Sequence, residues 1–374
     1  MGGELMDLLE IIKDNMGKIV NLRKKLNENA ELSFKEYKTQ QIIKKFLKDL
    51  NINTVDMINT GVVGVLNEGN ECTAIRSDID ALPINGVSHA CGHDYHMAVV
   101  LGCALILKKI GFDKCIKFIF QPGEEDTGGA LPMIENGVLE NPKVKNIIGL
   151  HVWPGLDVGK IEVTAGPSMA STDEFFITFK GRGGHAAMPY LCNNTIYPAV
   201  DFIQTCSEKL HLKNNPLNPF VVTFASFNSG NVPNVISDET KVNGTVRTFD
   251  DNLRNVIQQE IQNTAEVSAE NFKCKVDIEY EHGCPPLISN FELTDKFIKS
   301  SKKILGDDNV LDLEKSFAGE DFAFFAQRCP SVHFRLGISD KVKGTKVLHS
   351  SGFDASDEAL LYGIYVIVNF ILNM

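Results

Sequence analysis

The chain has 374 residues, 43% of them hydrophobic, and a formal net charge of −11 at pH 7. That length favours two or three domains, and the acidic balance makes nucleic acid and anionic membrane poor partners. Nine cysteines are scattered without a CxxC pair and no N-terminal signal segment is visible, so a reduced, cytoplasmic setting is expected.

Taken in chain order, residues 4–50 read as two helices. In the second, over 35–50, Ile42, Ile43, Phe46, Leu47 and Leu50 fall at helical spacing. Residues 62–66 and 73–76 are strand-like, followed by a helix over 94–110, a strand over 117–120, a short helix over 130–136 and a strand over 146–150. This alternation argues for an α/β fold with a mainly parallel sheet covered by helices. The apolar runs 97–107 and 359–372 are too short to cross a bilayer and read as buried helices. From about Ser171, strands at 175–180, 221–227, 241–248 and 274–281 and helices at 196–210 and 253–272 give β-α-β-β-α-β. That is a ferredoxin-like α+β unit, inserted into the first domain. The expected division is therefore 1–168 with 283–374, interrupted by 169–282.

Chemistry concentrates in Ser88-His89-Ala90-Cys91-Gly92-His93-Asp94-Tyr95-His96, with three imidazoles, a thiol and a carboxylate. Cys91 and His93 flank a glycine and can converge from an irregular turn. His93 and His96 share a face if a helix starts here, and Asp94 would then suit the positive end of its dipole. A soft thiolate beside imidazoles is a donor set for a borderline-soft divalent ion. A buried cysteine among unrelated histidines would give the same letters. Position argues for the metal. Asp78 and Asp80 close one strand, Glu124 and Glu125 follow another, and His151 ends a third. Open α/β sheets bind ligands outside the carboxyl ends of their strands.

At this point several motifs resemble one family, the M20 metallopeptidases, and most closely its amidohydrolase branch. They are Arg76-Ser-Asp-Ile-Asp80-Ala-Leu-Pro83, the His89–His96 stretch, Phe120-Gln-Pro-Gly-Glu-Glu125 and Gly149-Leu-His151. Further matches are Gly181-x-Gly-Gly-His-Ala-Ala-x-Pro189, Asn234-Val-Ile, Gly244-Thr-Val-Arg-Thr248, Gly319-Glu-Asp-Phe322 and Leu348-His349 with Phe353-Asp354. They run in the family's order over nearly the whole chain. The branch holds aminoacylase-like, hippurate-hydrolase-like, auxin-conjugate-hydrolase-like and N-acetyldiaminopimelate-deacetylase-like enzymes.

The resemblance implies a zinc-peptidase-like catalytic domain and makes the inserted unit a lid and dimerisation domain. It also implies a pair of divalent ions per chain, zinc or manganese, with nickel or cobalt admitted. Cys91, His93, Glu125, His151 and His349 match the ligands, Cys91 as the bridge. Glu124 matches the general base, and Asp78 and Asp80 match residues that orient the metal shell. His185, Asn234 and Arg247 match lid residues that meet the substrate, His185 reaching across a homodimer interface. The implied reaction is hydrolysis of the amide bond of an N-acyl amino acid.

Three departures bear on the pocket. The first family motif carries His and Pro where this chain has Asn27 and Ala30, the loop from Pro83 to His89 is short, and Tyr190-Leu-Cys-Asn-Asn-Thr195 follows Pro189. Two other readings compete. One is a dipeptidase or exopeptidase on the same scaffold, whose recognition of a free amine is not visible. The other is a catalytically silent metal-binding protein, against which the intact Glu124 and five ligands count. His211, His282 and His333 lack such context and read as structural.

Overall fold

A computed structural model describes residues 2–126 and 128–374. The chain forms two compact units. One takes the chain to Gly166 and then Ile288–Glu314 and Asp321–Met374; the other comprises Pro167–Leu287 and Lys315–Glu320.

The first unit opens with α1 (Gly2–Glu28) and α2 (Tyr37–Asp49), and α2 buries Ile42, Ile43, Phe46 and Leu47 on one face. Then come β1 (Asn53–Met57), β2 (Gly61–Leu66), β3 (Glu71–Asp78), α3 (His93–Lys109), β4 (Ile116–Gln121), α4 (Ala130–Glu135), β5 (Lys143–Asp157) and β6 (Ile161–Val163). The chain leaves through β7 (Gly166–Met169).

The second unit runs β8 (Asp173–Lys180), β9 (Gly184–His185), α5 (Ile196–Lys213), β10 (Phe220–Ser229), β11 (Val235–Ile236), β12 (Glu239–Thr248), α6 (Asp251–Asn271) and β13 (Lys275–His282). Its four long strands form an antiparallel sheet in the order β10-β12-β8-β13. Phe175, Ile177 and Phe179 of β8 share a core with Phe202 of α5 and Ile257 and Ile261 of α6. Alternate β8 residues are buried, so one sheet face carries both helices. The stretch Lys315–Glu320, which the sequence division left in the first domain, joins this unit. The reason is backbone pairing, since Ser316 N–H donates to Ser168 O and Ala170 N–H to Ser316 O.

The chain then passes β14 (Leu287–Ser289), α7 (Phe291–Leu305), β15 (Val310–Leu311), α8 (Phe322–Ala326), β16 (Ser331–Ser339) and α9 (Ala359–Leu372). The first unit's sheet has the order β1-β2-β4-β3-β5-β16-β6-β15. Its central strands β4, β3, β5 and β16 are parallel, and β1 and β2 pair antiparallel at one side. The fold is thus mixed α/β with a mostly parallel central sheet. β5 is longer than the 146–150 expected, because β16 stays in register with it from Ile147 to Trp153 and resumes at Asp157 after an irregularity. His151 consequently lies inside a strand, three residues past the last β3 partner Ile148.

α3 is buried from His93 to Leu107, enclosed by α1, α9 and the sheet, which is why its sequence is apolar all round. Among the described residues, no helix is long and apolar enough to cross a membrane. Gly102, the break in the apolar run, is the close approach of α3 to α9: a Cβ there would stand 2.4 Å from Ile364 Cδ1 and 2.9 Å from Cγ1. Gly102→Val should therefore overpack the core and cost about 1–3 kcal/mol. Urea unfolding should show a lower midpoint at unchanged slope.

Candidate functional site

In the first unit, four separated segments bring their donors together. Cys91 and His93 sit at the start of α3, Glu124 and Glu125 follow β4, His151 stands in β5, and His349 lies in the loop before α9. The turn into α3 needs Gly92: its φ is +83° and a Cβ would lie 2.3 Å from Val152 of β5. His349 is held by its N–H to Ala90 O at 2.9 Å and has φ +59°, a strained conformation for a residue other than glycine.

Ring orientations are set by carbonyls. His93 Nδ1 donates to Asp80 O at 2.9 Å and His151 Nδ1 to Val152 O at 2.7 Å. A carbonyl can only accept, so each neutral ring keeps its Nε2 lone pair for a ligand. Those lone pairs meet Cys91 and Glu125. Cys91 Sγ is 3.4 Å from His151 Nε2 and 3.1 Å from His349 Nε2. Glu125 Oε1 is 3.3 Å from His349 Nε2 and 3.7 Å from His93 Nε2. A tetrahedral ion with bonds of about 2.0–2.3 Å holds its donors roughly 3.3–3.8 Å apart, so these spacings suit one. Two triads result, Cys91–His93–His151 and Cys91–Glu125–His349, and they share the thiol. A carboxylate oxygen of Glu124 lies within 4.8 Å of donors from His93 and Glu125. Buried His93 Nε2, Glu125 Oε1 and Asp80 Oδ1 have no hydrogen-bond partner. Orphaned donors of this kind fit a divalent metal.

The electrostatics agree. Burial pushes the Cys91 thiol well up, with His93 opposing it. The Glu125 carboxylate beside it raises His349, while burial opposes. Both shifts favour the protonated form; a bound dication would act in the opposite direction.

His96 is not part of this donor set. Its Nε2 accepts the Val152 N–H at 2.9 Å, so Nδ1 carries the proton and donates to Asp78 Oδ1 at 2.6 Å. Burial pushes its pKa down to about 3, against the pull of Asp78. Both nitrogens are spent on structure, although its spacing from His93 had made it a candidate.

Asp78 and Asp80 stand behind this donor cluster. Burial alone would raise Asp78, but His93, His96 and Arg76 hold it well below the usual carboxylate range. Asp80 Oδ2 accepts Ser33 Oγ at 2.7 Å and the Glu125 N–H at 3.0 Å, fixing the Glu125 backbone.

Sequence reasoning gave no role to Arg76, which is wholly buried. It donates to Asp78 at 2.7 Å, Asp321 at 2.6 Å and Gln121 at 2.9 Å. A charged residue inside an apolar strand, two before an aspartate, was the available signal. The 23–27 stretch was also underrated. Arg23 and Asn27 both donate to Asp94 Oδ2, at 3.3 and 3.0 Å, so the residue replacing the family's histidine braces the first turn of α3.

The remaining candidates belong to the second unit. β9 and β11 pair His185 with Val235, and Ala186 N–H donates to Asn234 O at 3.1 Å. His185 is exposed, and its Nδ1 accepts the Ala187 N–H at 3.1 Å, so its proton sits on Nε2. Arg247 is half-buried and donates through one nitrogen to Val246 O at 3.1 Å and Asp173 O at 3.4 Å.

Comparison with known proteins gives a consistent set of matches. The model of Peptidase family M20/M25/M40 matches residues 74–373. Thermostable carboxypeptidase 2 of Saccharolobus solfataricus is 32% identical over 96% of both chains. N-acetylcysteine deacetylase of Bacillus subtilis is 34% identical over 92% of this chain and 93% of its own. A solved Bacillus subtilis structure, a dinuclear metal-binding peptidase from the M20 family, has TM-score 0.82 at 30% identity, covering 96% of this chain and 99% of that one.

Two measurements follow from the geometry. Arg76→Met leaves Asp78 and Asp321 buried without their cation and should cost about 3–5 kcal/mol in denaturant unfolding. Trp153 is the chain's single tryptophan, stacked on Arg335 at 3.6 Å with its ring centroid 6.1 Å from that of His151. Titrating apo protein with Mn²⁺ or Co²⁺ should quench its fluorescence in step with ion uptake. Uptake with unchanged emission would place the ions away from His151.

Proposed function

Since the chain belongs to peptidase family M20/M25/M40 and is an amide-cleaving, metal-dependent hydrolase, we propose that its substrates are N-acyl amino acids. Water would cleave them to a carboxylate and a free amino acid. The observation that carries this reading is the pair of donor triads sharing Cys91, with Glu124 beside them. The N-acetylcysteine deacetylase relative supports an acyl-amino acid over a peptide. The carboxypeptidase relative supports the second reading, an exopeptidase on the same scaffold.

In this proposal Cys91, His93 and His151 hold one ion and Cys91, Glu125 and His349 the other, zinc or manganese. When bound, such a pair supplies Lewis acidity and brings the pKa of water down toward about 7. Glu124 takes the proton of the attacking water and returns it to the leaving nitrogen. His185, its proton on Nε2, donates to the oxyanion of the tetrahedral intermediate, and Arg247 meets the substrate carboxylate with Asn234 nearby. The second unit serves as lid and dimerisation domain. Exposed Tyr190, Leu191, Tyr197, Val232 and Val235 on that unit support pairing between copies.

Three outcomes are expected. Elemental analysis after reconstitution should give two divalent ions per chain, and Cys91→Ser should weaken both sites together. Glu124→Gln should lower kcat about 10²–10⁴-fold with metal retained, whereas Glu125→Gln should lose metal; the reverse pattern would exchange their roles. Acetyl-, benzoyl- and indoleacetyl-amino acids should turn over faster than unblocked dipeptides, and the opposite ranking would favour the exopeptidase.

A fourth expectation concerns two-fold pairing. After verified subunit exchange, a mixture of dead Glu124→Ala and His185→Ala chains should recover about a quarter of wild-type activity if His185 acts in trans. Half the dimers are mixed, and each has one complete site. Exchange without recovery would leave His185 acting within its own chain.

A further inference from the structure

Glu36 directly precedes α2 and makes no capping bond to it. It is fully buried. One oxygen, Oε1, accepts the Phe34 N–H at 2.9 Å and the Gly123 N–H at 3.1 Å; Oε2 accepts the Thr60 hydroxyl at 2.5 Å. Gly123 is 87 residues away and directly precedes Glu124. A buried carboxylate is costly, and here its acceptor capacity goes to a turn next to the reacting groups.

The surrounding stretch is built toward the same turn. Phe34 has φ +59°, and its ring lies 2.4 Å from where a Gly123 Cβ would stand. Gly123 itself has φ +67°, and its carbonyl accepts the Gly128 N–H at 3.1 Å, closing the turn. Ser33 reaches Asp80 Oδ2, the oxygen that also takes the Glu125 N–H. Glu31 O accepts the Ala81 N–H at 2.8 Å. Left-handed backbone at a non-glycine residue, packed against a turn that bears functional carboxylates, is strain placed where position matters.

We propose that Glu36 is a positioning residue: by holding the Gly123 N–H it sets where the Glu124 carboxylate stands. Asp80 fixes Glu125 independently, so Glu36 governs the base and leaves the metal ligand in place. This rests on the reading of Glu124 as general base. A displacement of about 1 Å at a reacting group costs on the order of 10²-fold in rate.

The test uses the metal-loaded full chain. Glu36→Ala should lower kcat about 10²-fold with KM and ion content unchanged, shift the acid limb of the kcat/KM pH profile, and speed hydrogen exchange at the Gly123 amide. Glu36→Gln keeps an oxygen for that amide and should recover most of the loss. Should Glu36→Ala fail to fold, Glu36→Asp, which draws the carboxylate back by one methylene, should show the same kcat loss and faster exchange. Wild-type kcat in a folded variant with faster Gly123 exchange overturns the proposal, as does metal loss in step with kcat. The two readings separate. Full activity in Glu124→Gln overturns the base alone, whereas unchanged Gly123 exchange in Glu36→Ala overturns the positioning role alone.

Discussion

Arg76 carries its charge into the interior of the first unit, and the geometry around it is what makes that burial tolerable. Removing a guanidinium from water costs several kcal/mol, repaid only when every N–H finds a well-placed acceptor. Asp78 from the end of β3, Gln121 from the end of β4 and Asp321 from the segment before α8 supply those acceptors. Asp321 in turn accepts from Gln121 and from the Ala130 N–H, which ties in α4. The network closes only if these segments meet in one register.

From Asp78 the same constraint reaches the donor cluster. Its second oxygen fixes His96, and His96 fixes the Val152 N–H of β5, next to His151. Two carboxylates, an arginine and an imidazole thereby anchor β5, which carries His151, and α3, which opens on His93. Asp80 extends the support to His93 and Glu125. His93, Glu125 and His151 are thus held by groups that are themselves buried and hydrogen-bonded.

The donor cluster has the opposite character. Thiol, imidazoles and carboxylates crowd together, and His93 Nε2 and Glu125 Oε1 are buried there without a hydrogen-bond partner among the described residues. A site in this state is completed by positive charge, so metal uptake releases protons and stabilises the fold around it. His349 stands apart among these donors. It is half-exposed, on a loop with strained backbone.

Donor types were legible in the chain, because the Cys91–His93 turn, the Glu124–Glu125 pair and the alternation of apolar segments are local patterns. So was the α/β class with its mostly parallel central sheet, since periodicity and turn residues are written residue by residue. What only the tertiary structure decided involves partners far apart in sequence. His96 shares a helix face with His93, but Val152 and Asp78, from 56 and 18 residues away, take both of its nitrogens. Glu36 had no role legible in the chain, because its partner Gly123 lies 87 residues away. Asn27, a departure that could bear on substrate preference or on packing, braces Asp94, and Gly102, an interruption in the apolar run, is where α9 crosses α3. Local sequence sets which atoms a residue offers; only packing settles which of those atoms are already taken, and a ligand is a donor that packing has left free.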